Sequence, residues 1–140
     1  MNRAIFSIWI AASLLTAGCA KPVARELHGT VTCRGEAASA GRVSLIPIQS
    51  NERAVYSARI VDGRYRVSLW GGAPTGTYRV EVDAKRKTGR RIQGFNGVET
   101  TMVDEEVRLG PEIYAGGNSP LIIELDTDSD EQFNIVLPDS

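Results

Sequence analysis

Three aspartates at alternate positions near the C-terminus, Asp126, Asp128 and Asp130, have the spacing in this chain that most suggests ligand chemistry. Carboxylate oxygens at alternate positions of a loop can converge on one calcium ion. Compared with an EF-hand loop, the sixth place holds Glu131 instead of glycine, and the twelfth holds Leu137 instead of an acid. We therefore predict no metal site and interpret the aspartates as a solvated turn whose charges discourage edge-to-edge aggregation, with calcium binding as the alternative.

Two isolated side chains could also contact a ligand. Trp70 stands beside two glycines and could stack on a sugar, although a lone tryptophan more often packs against a loop. His28 is the only histidine, and the chain contains neither a G-x-S-x-G nucleophile motif nor a C-x-x-C pair. Nucleophilic catalysis and a structural zinc site therefore lack the residues that they need. We predict that the protein is not an enzyme and that it uses no cofactor.

The basic run KRKTGRR, residues 85–91, surrounds Thr88 and Gly89, a pair that suits the tip of a β-hairpin. A solvated hairpin is the simpler interpretation, and contact with anionic lipid or an acidic polymer is the alternative. The run has no interleaved aromatic residues for stacking on bases, and the whole chain has a formal net charge of −1. We therefore predict no nucleic-acid partner.

The N-terminus has the pattern of a secretory leader. Arg3 supplies a positive charge, and a mostly apolar stretch follows from Ala4 to Ala17. This stretch is shorter than the roughly 20 residues that span a bilayer, so the pattern favours a signal peptide over a transmembrane helix. Small residues then lead to Cys19, one of two cysteines in the chain.

The ending Thr16-Ala17-Gly18-Cys19 resembles the lipobox of bacterial lipoproteins, although Thr16 stands where that family prefers an aliphatic residue. The resemblance implies cleavage before Cys19, a diacylglycerol on its sulfur and acylation of the new amine. Two or three acyl chains would anchor the protein stably to the bacterial cell membrane or outer membrane, and Cys33 would then be a small buried hydrophobe. An ordinary signal peptide would instead leave Cys19 as a free thiol or as a partner for Cys33. We expect a signal peptide over 1–18, a tether over 19–26 and one domain over 27–140.

Apolar and polar residues alternate with a period of two along most of that domain, as in strands that bury one face. Asp62-Gly63 suits a two-residue hairpin turn, and Pro47 places the second strand at an edge or ends it. Residues 92–118 follow no period for long, so we expect a long excursion with one extra strand at most. The last two strands are predicted to form a C-terminal hairpin joined by DTDSDEQ. The predicted strands cover residues 27–33, 42–47, 54–61, 64–69, 78–85, 121–125 and 133–137.

Seven or eight short strands with Gly- and Pro-rich turns predict an all-β antiparallel sandwich. The motif DGxY followed by GxYxV resembles the transthyretin-like, carboxypeptidase-regulatory-like lipoproteins of planctomycetes. That resemblance implies a seven-stranded Greek-key sandwich of the prealbumin (transthyretin) type, and it implies no chemistry, because a fold does not confer a function. Related hydroxyisourate hydrolases need several histidines and intradiol dioxygenases need two, which one histidine cannot supply. The motif is carried by Gly63, Tyr65, Gly76, Tyr78, Val80 and Val82.

Together these features predict an envelope lipoprotein that acts as a non-catalytic structural or interaction module. Its expected partners are the membrane, through the lipid on Cys19, and an unknown envelope protein or polysaccharide. The alternatives are a carbohydrate- or calcium-binding module that uses Trp70 or the three aspartates, and a small enzyme of the transthyretin-related type.

Overall fold

The computed structural model describes residues 25–49, 54–69, 73, 75–126 and 131–139. Within these ranges the chain is all-β and contains no α-helix, which confirms the all-β part of the predicted fold class. A single 3₁₀ helix spans Glu112–Ala115. The strands are β1 (Arg25–Cys33), β2 (Glu36–Ala37), β3 (Ala40–Pro47), β4 (Tyr56–Val61), β5 (Arg64–Leu69), β6 (Gly76–Phe95), β7 (Thr100–Leu109), β8 (Ile122–Leu125), β9 (Glu131–Gln132) and β10 (Ile135–Leu137).

The strands form one largely antiparallel sheet in the order β10-β1-β5-β4-β3-β6-β7, and the sheet curls into a half-barrel. The short strands β2 and β9 pair with β1, and β8 pairs with β6. Only β9 and β10 run parallel to their partner, β1. The curl brings the apolar faces of distant strands together around a shared core.

Alternate residues of β1, β3, β5 and the first half of β6 point into this core, which is why the period-two pattern predicted these strands. The largest fully buried side chains come from β1, β3, β5, β6 and β10, and the largest of all is Tyr78. Tyr56 packs edge-to-face on Tyr78, with ring centroids 6.4 Å apart. Cys33 is buried as predicted, is a free thiol, and donates a hydrogen bond of 3.4 Å from its Sγ to the carbonyl of Pro138.

The predicted turn at Asp62-Gly63 is confirmed. Both residues have positive φ, 49° and 76°, as a two-residue type I′ hairpin turn requires, and they join β4 to β5. Pro47 is the last residue of β3, which is paired on both sides, so the proline ends the strand and does not mark a sheet edge. The extra strand predicted within 92–118 is β7, and the 3₁₀ helix follows it.

The predicted C-terminal hairpin is wrong. β8 pairs with β6, through Arg79 and Ile122 among others, whereas β9 and β10 pair with β1 on the other side of the curled sheet. The alternation of apolar and polar residues in these two segments correctly indicates that Leu125, Ile135 and Leu137 are buried. It does not indicate which strand lies beside them, because any neighbour that covers the same face satisfies the same pattern.

Tyr65 fastens β10 and the preceding residues to the sheet. Its ring passes over Gly29 of β1, and its hydroxyl donates a hydrogen bond of 2.6 Å to the carbonyl of Phe133. The backbone N–H of Phe133 in turn donates to the carbonyl of His28 at 2.9 Å. Burial raises the pKa of the Tyr65 phenol, so it stays protonated and able to donate.

Replacing Tyr65 with phenylalanine removes this hydrogen bond and leaves the Phe133 carbonyl without its donor. We expect a loss of about 1–2 kcal/mol in the free energy of unfolding, measured by urea denaturation. The matched control is Tyr56→Phe, since the Tyr56 hydroxyl has no hydrogen-bond partner among the described residues. Equal stability of the two variants would show that the Tyr65 hydroxyl contributes nothing.

Candidate functional site

The longest hairpin of the protein extends beyond the core as a two-stranded arm. β3 pairs with β6 only as far as Lys85, whereas β7 pairs with β6 as far as Phe95. Past Lys85, β7 is therefore the only strand in the described chain beside β6. Ten residues of strand correspond to about 30 Å. We call residues 86–107 the arm.

The turn of the arm lies at Asn96–Glu99, and the predicted tip at Thr88-Gly89 is wrong. The Asn96 side chain closes the turn by accepting hydrogen bonds of 2.9 Å from the backbone N–H groups of Val98 and Glu99. Thr88 and Gly89 instead form a bulge in β6, where the register with β7 shifts between Lys87 and Arg91. Gly89 has a φ of 82°, so glycine suits this bulge as well as it suits a turn.

Acidic residues of neighbouring segments neutralise the basic run of the arm. Lys87 Nζ lies 3.1 Å from Asp104 Oδ2, and Arg90 Nε lies 3.7 Å from Glu105 Oε2. The hydrogen bond and the negative charge of Asp104 raise the pKa of the Lys87 ammonium. Arg86 contacts Glu36 of β2 in the same way, at 3.5 Å. Four cations of the run are therefore in exposed ion pairs, and Arg91 instead donates a hydrogen bond of 2.7 Å to the carbonyl of Met102.

The distal half of the arm exposes apolar side chains on both faces. Ile92 lies opposite Val103, Gln93 lies opposite Met102, and these two pairs face opposite sides of the ribbon. Phe95 is 72% exposed and Val98 is 90% exposed. Clustered exposed apolar side chains with polar neighbours are typical of interaction sites. We call the following set the apolar tip: Ile92, Phe95, Val98, Met102 and Val103.

The arm leaves the sheet at the end opposite to the one where β1 begins. Arg25, the first residue of β1, pairs with Leu69, the last residue of β5. Lys85, where the arm starts, pairs with Ala40, which pairs with Val61 beside the β4–β5 turn. The apolar tip therefore points away from the side on which the N-terminal segment joins the domain.

A second surface feature is an open cleft of about 600 Å³ where β4 meets β5. His28 lies on its wall and faces Arg66 across the β1–β5 pair, which agrees with the prediction of a surface histidine. We call this feature the arginine cleft. Its polar lining consists of His28, Thr30, Arg59, Arg64, Arg66 and Gln132.

Most of the ligand residues predicted from the sequence lie outside the described ranges: Cys19, Trp70, Asp128 and Asp130. Asp126 is exposed at the end of β8. Its backbone N–H donates to Glu131 Oε1 at 3.1 Å, and its carbonyl accepts a hydrogen bond from the Arg25 guanidinium. Among the described residues, no group of three or more histidine, cysteine or acidic side chains could hold a metal ion.

Sequence reasoning missed both the arm and the cleft. The residues of the apolar tip are visible in the sequence, but they follow no period, so no strand could be predicted there.

In the part of the chain that is described, no helix has the length and apolar character to cross a membrane. Comparison with protein-family models, with curated proteins and with solved structures finds no match to this chain.

Proposed function

We propose that this protein is a lipid-anchored, non-catalytic interaction module of a bacterial envelope, and that its arm presents the apolar tip to a partner protein. The observation that carries the proposal is that the N-terminal segment and the arm are at opposite ends of the domain. The N-terminal segment enters at one end, and the arm projects from the other. An anchor at the first end would therefore leave the tip facing away from the membrane.

The anchor itself is proposed from the motif that ends at Cys19. The sheet begins at Arg25, so its first strand includes the last two residues of the predicted tether. A lipid on Cys19 would then hold the domain through a few residues of connecting chain. A connection of this length would hold the domain close to the membrane surface without any contribution from the core.

The exposed tip is an argument for a partner protein, because an isolated two-stranded ribbon is only marginally stable in water. Ion pairs support the half of the arm near the core, whereas apolar side chains dominate the distal half. Phe95 and Val98 bury little of their surface against the protein itself. Contact with a partner would remove that surface from water and would also stabilise the ribbon.

We further propose that the sheet is arranged as the prealbumin-like Greek-key sandwich that the family resemblance implies. Two observations support this arrangement. β4 and β5 share only the pair Val61 and Arg64, next to their turn, so the sheet has a natural division there. The buried residues on either side of that division belong to one continuous core.

Replacing both Phe95 and Val98 with serine tests the proposed interaction. Because both side chains are exposed, we expect the free energy of unfolding to change by less than about 0.5 kcal/mol. We expect binding to the partner to weaken at least tenfold, since truncating an anchor side chain at the centre of an interface costs about 2 kcal/mol or more. The measurement is affinity isolation of the full chain from a detergent extract of the envelope, followed by titration of the protein that co-purifies.

The control is Val136→Ser, which changes a similarly exposed apolar residue on β10, 71% exposed and outside the arm. If the double variant and the control retain the same partner with the same affinity, the apolar tip is not an interaction site. If the double variant unfolds, circular dichroism will show this, and Met102→Ser, which removes one further exposed side chain, replaces it.

A further inference from the structure

We propose that the arginine cleft binds the carboxylate groups of an acidic polysaccharide. Arg59, Arg64 and Arg66 line the cleft from two adjacent strands. Arg42 extends the same charged surface, because it lies directly opposite Arg59 in the β3–β4 pair and points outward with it. Four arginines from three neighbouring strands therefore converge on one outer surface of the sheet.

Three of these four arginines lack the partners that the other cations of the described residues have. Arg42, Arg59 and Arg64 contact neither a carboxylate nor a backbone carbonyl within the described part of the chain. Arg66 alone among the four has an ion pair, 2.7 Å from Nη1 to Glu26 Oε2. The remaining described cations contact carboxylates (Arg34, Arg79, Lys85, Arg86, Lys87, Arg90 and Arg108) or backbone carbonyls (Arg25 and Arg91).

The pairing of Arg42 with Arg59 is itself unfavourable. Like charges directly opposite each other on neighbouring strands destabilise a sheet. Asp83 faces Arg42 from β6, but its carboxylate lies 3.7 Å from Lys85 and from Arg108 and is shared by these two cations. A bound anion would offset the repulsion between the two arginines, so the same groups that cost stability in the free protein favour binding.

The chemistry of the lining selects the class of ligand. The planar guanidinium group matches a carboxylate through two parallel hydrogen bonds. Thr30 and Gln132 add neutral hydrogen-bonding groups, which suit the hydroxyls of a sugar better than a bare ion. An acidic polysaccharide presents both kinds of group at regular spacing.

A nucleic acid fits the cleft less well, although it too carries regular negative charge. Single strands bind to proteins largely by stacking of bases on aromatic rings. Tyr65 is the aromatic residue of the lining, but it is 3% exposed and its hydroxyl is bonded to the Phe133 carbonyl. The cleft therefore offers charge and hydrogen bonds without a stacking surface.

Calorimetric titration of the full chain in detergent, at low salt, tests the proposal with oligogalacturonate as the acidic probe. Neutral dextran and single-stranded DNA are the comparison probes. We expect oligogalacturonate to bind more tightly than either, and we expect Arg59→Ala with Arg64→Ala to weaken it about tenfold or more. Arg90→Ala removes the same kind of charge from the arm and should leave the affinity within about twofold.

The variant Arg59→Lys with Arg64→Lys keeps both charges but loses the paired hydrogen bonds, and its affinity should fall between those of the wild type and the alanine variant. The proposal is overturned if the wild type does not bind oligogalacturonate, if dextran binds equally well, or if DNA binds more tightly. It is also overturned if Arg90→Ala weakens binding as much as the double alanine variant does. Melting curves show whether each variant is folded. If a variant is unfolded, the proposal is judged from the affinities of the wild type for oligogalacturonate, dextran and DNA.

Discussion

Replacing Gly29 with alanine is expected to destabilise the protein by about 3–4 kcal/mol. A Cβ at this position would collide with the carbonyl oxygen of Phe133 and lie 2.7 Å from its carbonyl carbon. It would also lie 3.2 Å from the Tyr65 ring. Backbone cannot yield as a flexible side chain can, so Phe133 and the strand that follows it would have to move away from β1.

That movement would break more than one interaction. The Tyr65 hydroxyl would lose its acceptor, and the parallel pairing of β10 with β1, which covers Ile135 and Leu137, would be strained. The measurement is thermal unfolding, in which we expect a melting temperature lower by about 10–15 °C. Gly116→Ala is the control, because Gly116 has an extended backbone and no atom within 4 Å of an added Cβ. Equal melting temperatures for the two variants would contradict this description of the Gly29 contact.

The substitution Cys19→Ser is expected to have a second large effect, on the distribution of the protein between the membrane and soluble fractions. If Cys19 carries two or three acyl chains, each buried CH₂ contributes about 0.8 kcal/mol and anchoring is effectively permanent. Serine cannot form the thioether, so we expect the variant to move almost completely from the membrane fraction to the soluble fraction. Labelled palmitate should be taken up by the wild type and not by the variant.

Cys33→Ala is the matched control for this experiment. Cys33 is buried at 6% exposure, so its removal should change stability slightly and leave both the label and the membrane fraction unchanged. An ordinary signal peptide would give a different result, in which the wild type takes up no palmitate and Cys19→Ser is distributed as the wild type is. That result would contradict both the proposed lipid anchor and the proposed orientation of the arm relative to the membrane.

The sequence allowed the strands of the core to be predicted well, for a physical reason. Leu27, Val43, Val67 and Val80 each belong to a strand with one face in the core, and burial of one face imposes a period of two. The turn at Asp62-Gly63 was equally predictable, because few residues adopt positive φ at two successive positions. Local rules of this kind depend only on neighbouring residues.

The pairing of distant strands could not be read in the same way. The C-terminal segments around Leu125 and Ile135 have the same alternation, yet one lies beside β6 and the other beside β1. The arm shows the complementary difficulty. Ile92, Met102 and Val107 are all exposed, so no face of the ribbon is buried and no period marks its two strands. A ribbon that projects into solvent has no core to impose a pattern.

The arginine cleft could not be predicted for a third reason. Each of its arginines occupies an ordinary outward position of a strand, where a polar residue is expected. Only the register of β3, β4 and β5 places Arg42 opposite Arg59 and brings Arg64 and Arg66 to the same surface. The one signal in the sequence is that all four positions hold arginine and none holds lysine, since arginine suits paired recognition of carboxylates.

The arm and the cleft would give an anchored domain two separate contacts. The apolar tip would contact a protein at the far end of the domain, and the cleft would contact a polysaccharide along its side. The two proposals stand on different residues, so either can fail without the other. Substitutions at Phe95 and Val98 leave Arg59 and Arg64 in place, and substitutions at Arg59 and Arg64 leave the apolar tip in place.

The proposal that the arm presents its tip to a partner protein is tested most directly by site-specific photocrosslinking of the full chain in cells of its source organism. A photoreactive residue in place of Phe95 is compared with the same residue in place of Val136, which is similarly exposed on β10. We predict that position 95 gives a discrete protein adduct and that position 136 does not. Adducts with lipid alone at position 95, or the same protein adducts from both positions, would contradict the account of an anchored module that presents its arm to a partner.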